Sequence, residues 1–536
     1  MKVFAKSLIF TAALAGVAGI AGAQMNPREK MAAALKAIQE NYVDSMSDER
    51  LTDAAIKGMI EVLDPHSRYF SREEGEQMNQ MMSGSFTGIG IQYVMQNDSV
   101  YVTQVIEEGP AAGKGLLAGD RILSVDRASV TGKGFSNFEM MKKLRGEKGS
   151  TVSLQIWRRS VAAPFTIEIT RGAIPDHSVK AAYMLDKQTG YIALRIFNLT
   201  TRKEVDEALT KLKLAGMKNL VLDLQGNGGG YVEAAIGVAD EFLKKDQLVF
   251  YSMPQDRGKD YYYAGGFGQF NEGRLVVMID QNTASASEIL SGALQDWDRA
   301  VLVGRRSFGK GLMQKPVTLA DGSILELTGA RYYTPSGRSI QKPYHGAKYE
   351  ENIATRFTSG ELQNAAFIHF PDSLKYTTKV NKRIVYGGGG IMPDVYVPVD
   401  TLEYNEWMQE ALNNGFINQV VFQYLDSSRA TVLQQWPAFE KYATGFTVPE
   451  QLVTRVLANA RQMQLAAPAT NEIALHNMLA LEIKAQLAAQ LYGSNQYYLR
   501  IANTSNKSLQ QAMELLSGTG RYAAILAPSP TVTKGK

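Results

Sequence analysis

Two polar side chains stand out by type and setting. Ser285 lies in the run Asn282-Thr283-Ala284-Ser285-Ala286-Ser287-Glu288-Ile289, and Lys310 follows in Ser307-Phe308-Gly309-Lys310-Gly311-Leu312-Met313-Gln314. A serine hydroxyl becomes a strong nucleophile when a neighbouring base takes its proton, and a neutral lysine amine can be that base. An ordinary lysine titrates near ~10.4, so service near neutrality needs a depression of roughly three units, about 4 kcal/mol, which burial can supply. Phe308, Leu312, Met313 and the helix after Ser285 are the expected walls of such a pocket. Gln314 is placed to accept a bond from the amine and orient it. The chemistry implied is acyl transfer through a serine ester. Taken alone, Ser285 with Glu288 also fits a helix capping box, and a lysine between glycines also fits a solvated loop.

The flanking pattern says how these residues are positioned. Arg274 to Ile279 is a short apolar run of strand type, and from Ala286 the apolar residues Ile289, Leu290, Ala293 and Leu294 recur at helical spacing. Ser285 therefore sits where a buried strand gives way to a helix. The first-turn N–H groups there lack intrahelical partners and can face a developing oxyanion. A second strand end leads into Asp223-Leu224-Gln225-Gly226-Asn227-Gly228-Gly229-Gly230, whose glycines let backbone N–H groups approach a ligand. That loop also fits a plain strand-to-helix turn. It is not read as a nucleotide site, since no GK[ST] phosphate loop occurs and no acidic partner is clearly placed about 20 residues on.

The assembly of these three segments resembles the carboxyl-terminal processing proteases, tail-specific serine endopeptidases with a Ser-Lys-Gln arrangement and an embedded PDZ domain. The family's SASE element is Ser285-Ala286-Ser287-Glu288, its FGKG element is Phe308-Gly309-Lys310-Gly311, and its glutamine is Gln314. The resemblance implies Ser285 as nucleophile, Lys310 as general base and Gln314 as the group that holds the lysine. It implies an oxyanion hole made by the N–H groups of Gly229 and Ala286. Two positions depart from the family's DLRGNPGG: Gln225 stands for arginine and Gly228 for proline, which implies a looser turn before substrate binds. Those departures also motivate the alternative of a noncatalytic PDZ scaffold with a degenerate protease fold.

The segment from Phe86 to about Thr170 turns to short strands, and its GPAAGKGLLAGDRILSVD run resembles a PDZ domain. The resemblance implies that Thr87, Gly88, Ile89 and Gly90 form the loop for a peptide's terminal carboxylate, with Ile89 to Tyr93, including Ile91, as the pairing strand. The helix near Asn137 to Leu144 is the far wall, with Phe138, Met140 and Met141 shaping a greasy pocket. The expected partners are protein substrates with accessible C-termini, with a homo-oligomer or an adaptor as further possibilities.

The rest of the chain sets the frame. The fold class expected is multidomain α/β: a crotonase-like αβ protease core with an inserted PDZ β-domain, an N-terminal helical segment and a C-terminal helical domain. The boundaries read as a signal peptide over 1–23, a helical region over 24–82, the PDZ domain over 83–172, the core over 173–400 with a polar insertion at 342–382, helices over 401–526 and a disordered tail over 527–536. Met31, Leu35, Ile38 and Tyr42 form one apolar helical stripe near the start, and Leu51, Ala55, Met59 and Val62 another. Alternating strand and helix patterns across the core argue for a mainly parallel sheet. Ile324 to Tyr332 is the strand along which family members lay their extended substrate.

The leader carries Lys2 and Lys6, an apolar stretch too short for a comfortable span, and Ala21-Gly22-Ala23, so the reading is an exported protein, periplasmic or of the cell envelope, without a membrane span once the leader is removed. The formal net charge of +4, two units of which belong to the leader's lysines, is too balanced to suggest nucleic acid. Zero cysteines exclude a disulfide framework and a thiolate metal site. The five histidines show no paired-ligand spacing, so neither a metal nor another cofactor is expected. His66, in LDPHSRYF, is read as satisfying local backbone groups rather than as a catalytic histidine.

Overall fold

The computed structural model describes residues 25–96, 98–132, 135–399, 406–465, 472–518 and 520–528. The leader read over 1–23 and the tail from 529 onward lie outside the described residues. The chain divides into two compact units, Met1–Leu63 and Asp64–Lys536. In the first, Pro27–Asn41 starts at an Asn26 cap and Asp48–Ile60 at a Ser47 cap. The two apolar stripes are present, but Ile60 is the one residue of these helices that is buried.

The second unit is built on a six-stranded sheet in the order Val179–Met184, Thr189–Leu194, Asn219–Asp223, Arg274–Ile279, Val301–Gly304, Val395–Tyr396. The first pair is antiparallel and the others are parallel. Its inner strands are apolar through their middles, as in Leu220 to Leu222, Leu275 to Ile279 and Val301 to Val303, because both faces are covered. Leu220, Leu222, Leu275 and Val277 pack under helices Thr201–Leu214, Val232–Asp240 and Ala286–Asp296. Val221, Val276 and Met278 point the other way, onto Leu509, Ala512, Leu515 and Leu516 of helix Lys507–Ser517 and Tyr522 of helix Arg521–Leu526. The last two helices are thus the second layer of the sheet rather than part of a separate helical body. Tyr522 secures them, its hydroxyl accepting from Leu275 N–H at 3.1 Å and reaching Leu275 O at 3.0 Å.

A second sheet, wholly antiparallel, contains Arg68–Phe70, Leu248–Pro254, Asp260–Tyr263, Leu312–Thr318 and Ile324–Tyr333. Ile324–Tyr333 lies inside it. Leu312–Thr318 pairs along one edge, while Arg68–Phe70 and Leu248–Pro254 share the other. The expectation that substrate lies along Ile324 to Tyr332 is therefore corrected: both edges of that strand are taken. The free edge beside the serine and lysine belongs to Leu312–Thr318, where Pro316 suits an edge position.

Within the second unit, Ile91–Gln96, Ser99–Val105, Arg121–Val125, Thr151–Trp157 and Phe165–Thr170 form an antiparallel sheet around Val100, Ile122, Leu154 and Met140. The chain enters and leaves this domain through one zipped ribbon, Ser85–Gly88 against Gly172–Pro175. Six helices from Glu406–Asn413 to Asn495–Ala502 enclose a core of their own and touch the β-domain through the rings of Tyr101 and Phe422, 4.5 Å apart. The polar 342–382 stretch is tied down by charge: Arg306 and Arg356 both meet Glu361 at 2.6 Å, and all three are buried. No helix of the described residues is long and apolar enough to cross a membrane.

Candidate active site

The strand Arg274–Ile279 runs into a turn organised by Asp280. Its Oδ1 accepts N–H bonds from Asn282, Thr283 and Gly226, each at 3.0 Å, which fastens the glycine loop to the serine turn. Asn227 adds further ties. Its carbonyl accepts from Ala284 N–H and from the Ser287 hydroxyl, both at 3.0 Å, and its side chain donates to Leu194 O at 2.9 Å. The loop is thus pinned on both sides of Gly228, where the sequence had implied a looser turn.

Ser285 caps the helix Ala286–Asp296 with φ 56° and ψ −118°. An L-residue held there stores strain on the order of 1–3 kcal/mol, and such positions cluster at active sites. Glu288 helps hold it, since its carboxylate accepts Ser285 N–H at 2.9 Å. The same carboxylate accepts Gly309 N–H at 2.7 Å, Lys310 N–H at 2.9 Å and the Ser307 hydroxyl. Tyr332 makes a second clasp, its hydroxyl lying 2.6 Å from Lys310 O and 3.2 Å from Ser285 O. One fully buried acid and one phenol therefore fix the serine segment against the lysine segment. In the sequence Glu288 read only as half of a capping box. The helix is buried along its whole length, so its acid must be paired inside, a tertiary fact that the capping-box pattern does not show.

Ser285, Lys310 and Gln314 line one cavity of about 550 Å³, with Met78, Met82 and Met313 among its apolar walls. Burial pushes the Lys310 amine below the ordinary lysine value. Arg68 adds to the depression, and Glu326, Glu288 and Asp64 oppose it. Among the described residues Lys310 makes no ion pair. Phe308 was expected in this pocket, yet its ring faces the other way, under the Lys342 ammonium 3.6 Å from the centroid and edge-on to Tyr349. Gln314 donates through Nε2 to Thr328 Oγ1 at 3.4 Å across a bulge in the strand pair.

His66 stays in its local turn, its N–H donated to Asp64 at 2.8 Å, while Nε2 meets the Tyr349 hydroxyl. Burial first, and the Lys310 charge second, push its pKa down to about 3, so the ring is neutral at working pH.

Gly229 brings its backbone against the serine. At φ 99° a Cβ there would lie 2.8 Å from Ala284 O and Ser285 Cβ and 2.9 Å from Ala286 N. Its N–H is held by Asn227 Oδ1 at 2.9 Å, whereas Ala286, the first helical residue, has no intrahelical acceptor. Gly229→Ala is expected to cut turnover by about 10²-fold or more by displacing Ser285, as read by casein hydrolysis beside a thermal melt. The arginine position, Gln225, points away from the serine and accepts from Asn506 Nδ2 at 3.0 Å.

In the β-domain, Thr87 and Gly88 are drawn into the ribbon opposite Ala173 and Gly172. That leaves Ile89, buried in the domain core, and Gly90, at φ 80°, ahead of the strand that Ile91 begins. Across from that strand, helix Asn137–Leu144 turns Met140 into the core and leaves Phe138 exposed and Met141 half-buried. Tyr93 crosses to the helix, its hydroxyl donating to Asn137 O at 3.2 Å.

Residues 188–351 match Peptidase family S41 and residues 87–169 the PDZ domain. Residues 14–74 match the activating protease CtpB N-terminal domain, and residues 407–493 a family of unknown function. The chain is 37% identical to a carboxy-terminal-processing protease of Bartonella bacilliformis over 57% of this chain and 70% of that one. It is 32% identical to the carboxy-terminal processing protease CtpB of Bacillus subtilis over 66% and 74%. Among solved structures, a photosystem II D1 C-terminal processing protease is 30% identical over 59% of this chain and 91% of that one, with a TM-score of 0.35. With a serine-type peptidase region and a PDZ region in one polypeptide, and that level of identity across most of two relatives, the chain belongs to the carboxy-terminal processing proteases of peptidase family S41.

Proposed function

We propose that this protein is an exported endopeptidase of the periplasm or cell envelope that captures flexible C-terminal tails on its PDZ domain and cleaves peptide bonds with Ser285, Lys310 and Gln314. The observation that carries the reading is the strained Ser285 at a helix start, in one cavity with a half-buried Lys310 that makes no ion pair among the described residues. Lys310 takes the Ser285 proton as its oxygen attacks the carbonyl carbon, and returns it to the leaving amine. Water then repeats the cycle on the ester. Ala286 N–H faces the tetrahedral oxygen, and Gly229 N–H joins it once Asn227 Oδ1 releases it. The free edge of Leu312–Thr318, whose Leu312, Met313, Gln314 and Pro316 border the cavity, pairs with the extended substrate.

A fluorophosphonate probe, offered together with a hydrophobic tail peptide, tests this directly. Mass spectrometry is expected to find the adduct on the Ser285 peptide, with none in Ser285→Ala. Active enzyme modified at some other residue would defeat the assignment.

A further inference from the structure

Ile324–Tyr333 has a gap along one edge. Arg68–Phe70 pairs with residues 324–326 and Leu248–Pro254 with residues 330–333, so neither covers Thr328. The turn just before Arg68 fills that gap. Thr328 N–H donates to Ser67 Oγ at 3.1 Å, and the Thr328 hydroxyl donates to Asp64 Oδ1 at 3.0 Å. The Ser67 hydroxyl in turn donates to Asp64 Oδ2 at 2.6 Å.

Donor accounting fixes the direction of every bond. Asp64 is buried and receives His66 N–H at 2.8 Å and Ser67 N–H at 2.9 Å besides the two hydroxyls. Four donors and no acceptor suit an ionised carboxylate. Burial works against that charge, but the bonds from Ser67, His66 and Thr328 prevail and hold the pKa below the usual aspartate value. Thr328 has one hydroxyl hydrogen, and Asp64 takes it. Thr328 Oγ1 can then only accept, so the Gln314 amide must present its nitrogen end, as it does at 3.4 Å. The oxygen end of Gln314 is thereby left for the cavity it shares with Lys310. Were the amide turned over, its NH₂ would donate to the amine lone pair that must take the Ser285 proton, and would repel the ammonium once formed.

We propose that Asp64 and Thr328 are positioning residues that set the polarity of Gln314, so that its oxygen and not its nitrogen meets Lys310. The inference rests on Lys310 being the base. The charged groups around that amine are Glu326 and Arg68 from the paired strands, Glu288 from the serine helix and Asp64 itself, with neutral His66 behind.

The test uses the full-length protein, fluorescein-labelled casein and kcat against pH. Thr328→Val keeps the branched shape and removes the hydroxyl. It is expected to lower kcat by about 10- to 100-fold with KM changed less than about twofold. An acceptor stabilises the ammonium more than the amine, so losing it moves the acid limb of the profile to lower pH. Thr328→Ser restores the hydroxyl and is expected to recover at least half of kcat and the original limb. A Thr328→Val enzyme with wild-type kcat and limb overturns the proposal, as does a Thr328→Ser enzyme impaired to the same degree as the valine. Lys310→Met separates the layers. If it is inactive while Thr328→Val matches wild type, the positioning role alone fails; if it still turns over casein, the base assignment itself is wrong.

Discussion

Lys310→Met is expected to reduce casein hydrolysis by about 10³-fold or more, while its melting temperature at neutral pH equals or exceeds that of the unmodified protein. The two halves have one cause. Burial disfavours the charged amine, which on the proposed mechanism readies it to accept the Ser285 proton and which also makes the fold bear a cost for keeping it. The sign follows from proton linkage. With its folded pKa below its unfolded value, Lys310 binds more protons in the unfolded chain throughout the interval between them, so stability rises with pH across that interval. Below it the protonated amine's penalty is felt in full. The stability advantage of methionine should therefore be largest at acid pH and shrink as pH rises, which calorimetry of both proteins at several pH values would measure. Activity has the same direction, climbing with pH through the depressed lysine pKa. A methionine variant that melts well below wild type at every pH would show that the ammonium is a structural ion and not a stored base.

The second large effect is expected at Glu288. Its carboxylate receives Ser285 N–H, Gly309 N–H, Lys310 N–H and the Ser307 hydroxyl, with no solvent exposure. Burial pushes its pKa up, and the bonds from Ser307, Lys310, Gly309 and Ser285 pull it back. Glu288→Ala would strand all four donors, at a cost of about 3–5 kcal/mol by analogy with breaking a buried charged pair. Glu288→Gln is the more informative change. The amide keeps the size but turns an NH₂ toward one of the donor pairs, separating the serine and lysine segments by a fraction of an ångström. Turnover is expected to fall by about 10²-fold with a smaller loss of stability, read by casein kinetics and thermal melts. Wild-type kcat in this variant would mean that Tyr332 alone sets the spacing.

What the sequence disclosed and what it withheld divide along the range of the interactions. The strand, turn and helix around Ser285 were legible because all three are local, and RLVVMI followed by a helical stripe leaves little choice. The glycine loop was legible for the same reason. Phe308 was placed in the wrong pocket because its partner is Lys342, whose ammonium lies over the ring, and no spacing rule relates the two. The Asp64 contact to Thr328 joins residues 264 apart, and neither end carries a pattern beyond a turn and a strand. Ile324–Tyr333 was taken as the substrate strand on resemblance, whereas its edges are occupied by three segments that all precede it in sequence, two of them from far upstream. The final two helices were read only as part of the helices over 401–526, because which surface such helices cover is a tertiary fact.

Those helices carry a consequence for biosynthesis. A chain still emerging from the ribosome has Val221, Val276 and Met278 synthesised long before Leu509, Leu515 and Tyr522 arrive to shield them. The strands that lead to Ser285 and to the glycine loop then lack one of their two covering layers, and a sheet bare on one face does not hold its packing. The protease core can complete its packing only when nearly the whole polypeptide has been made, so a chain that stops before Leu509 is left with one face of its central sheet bare.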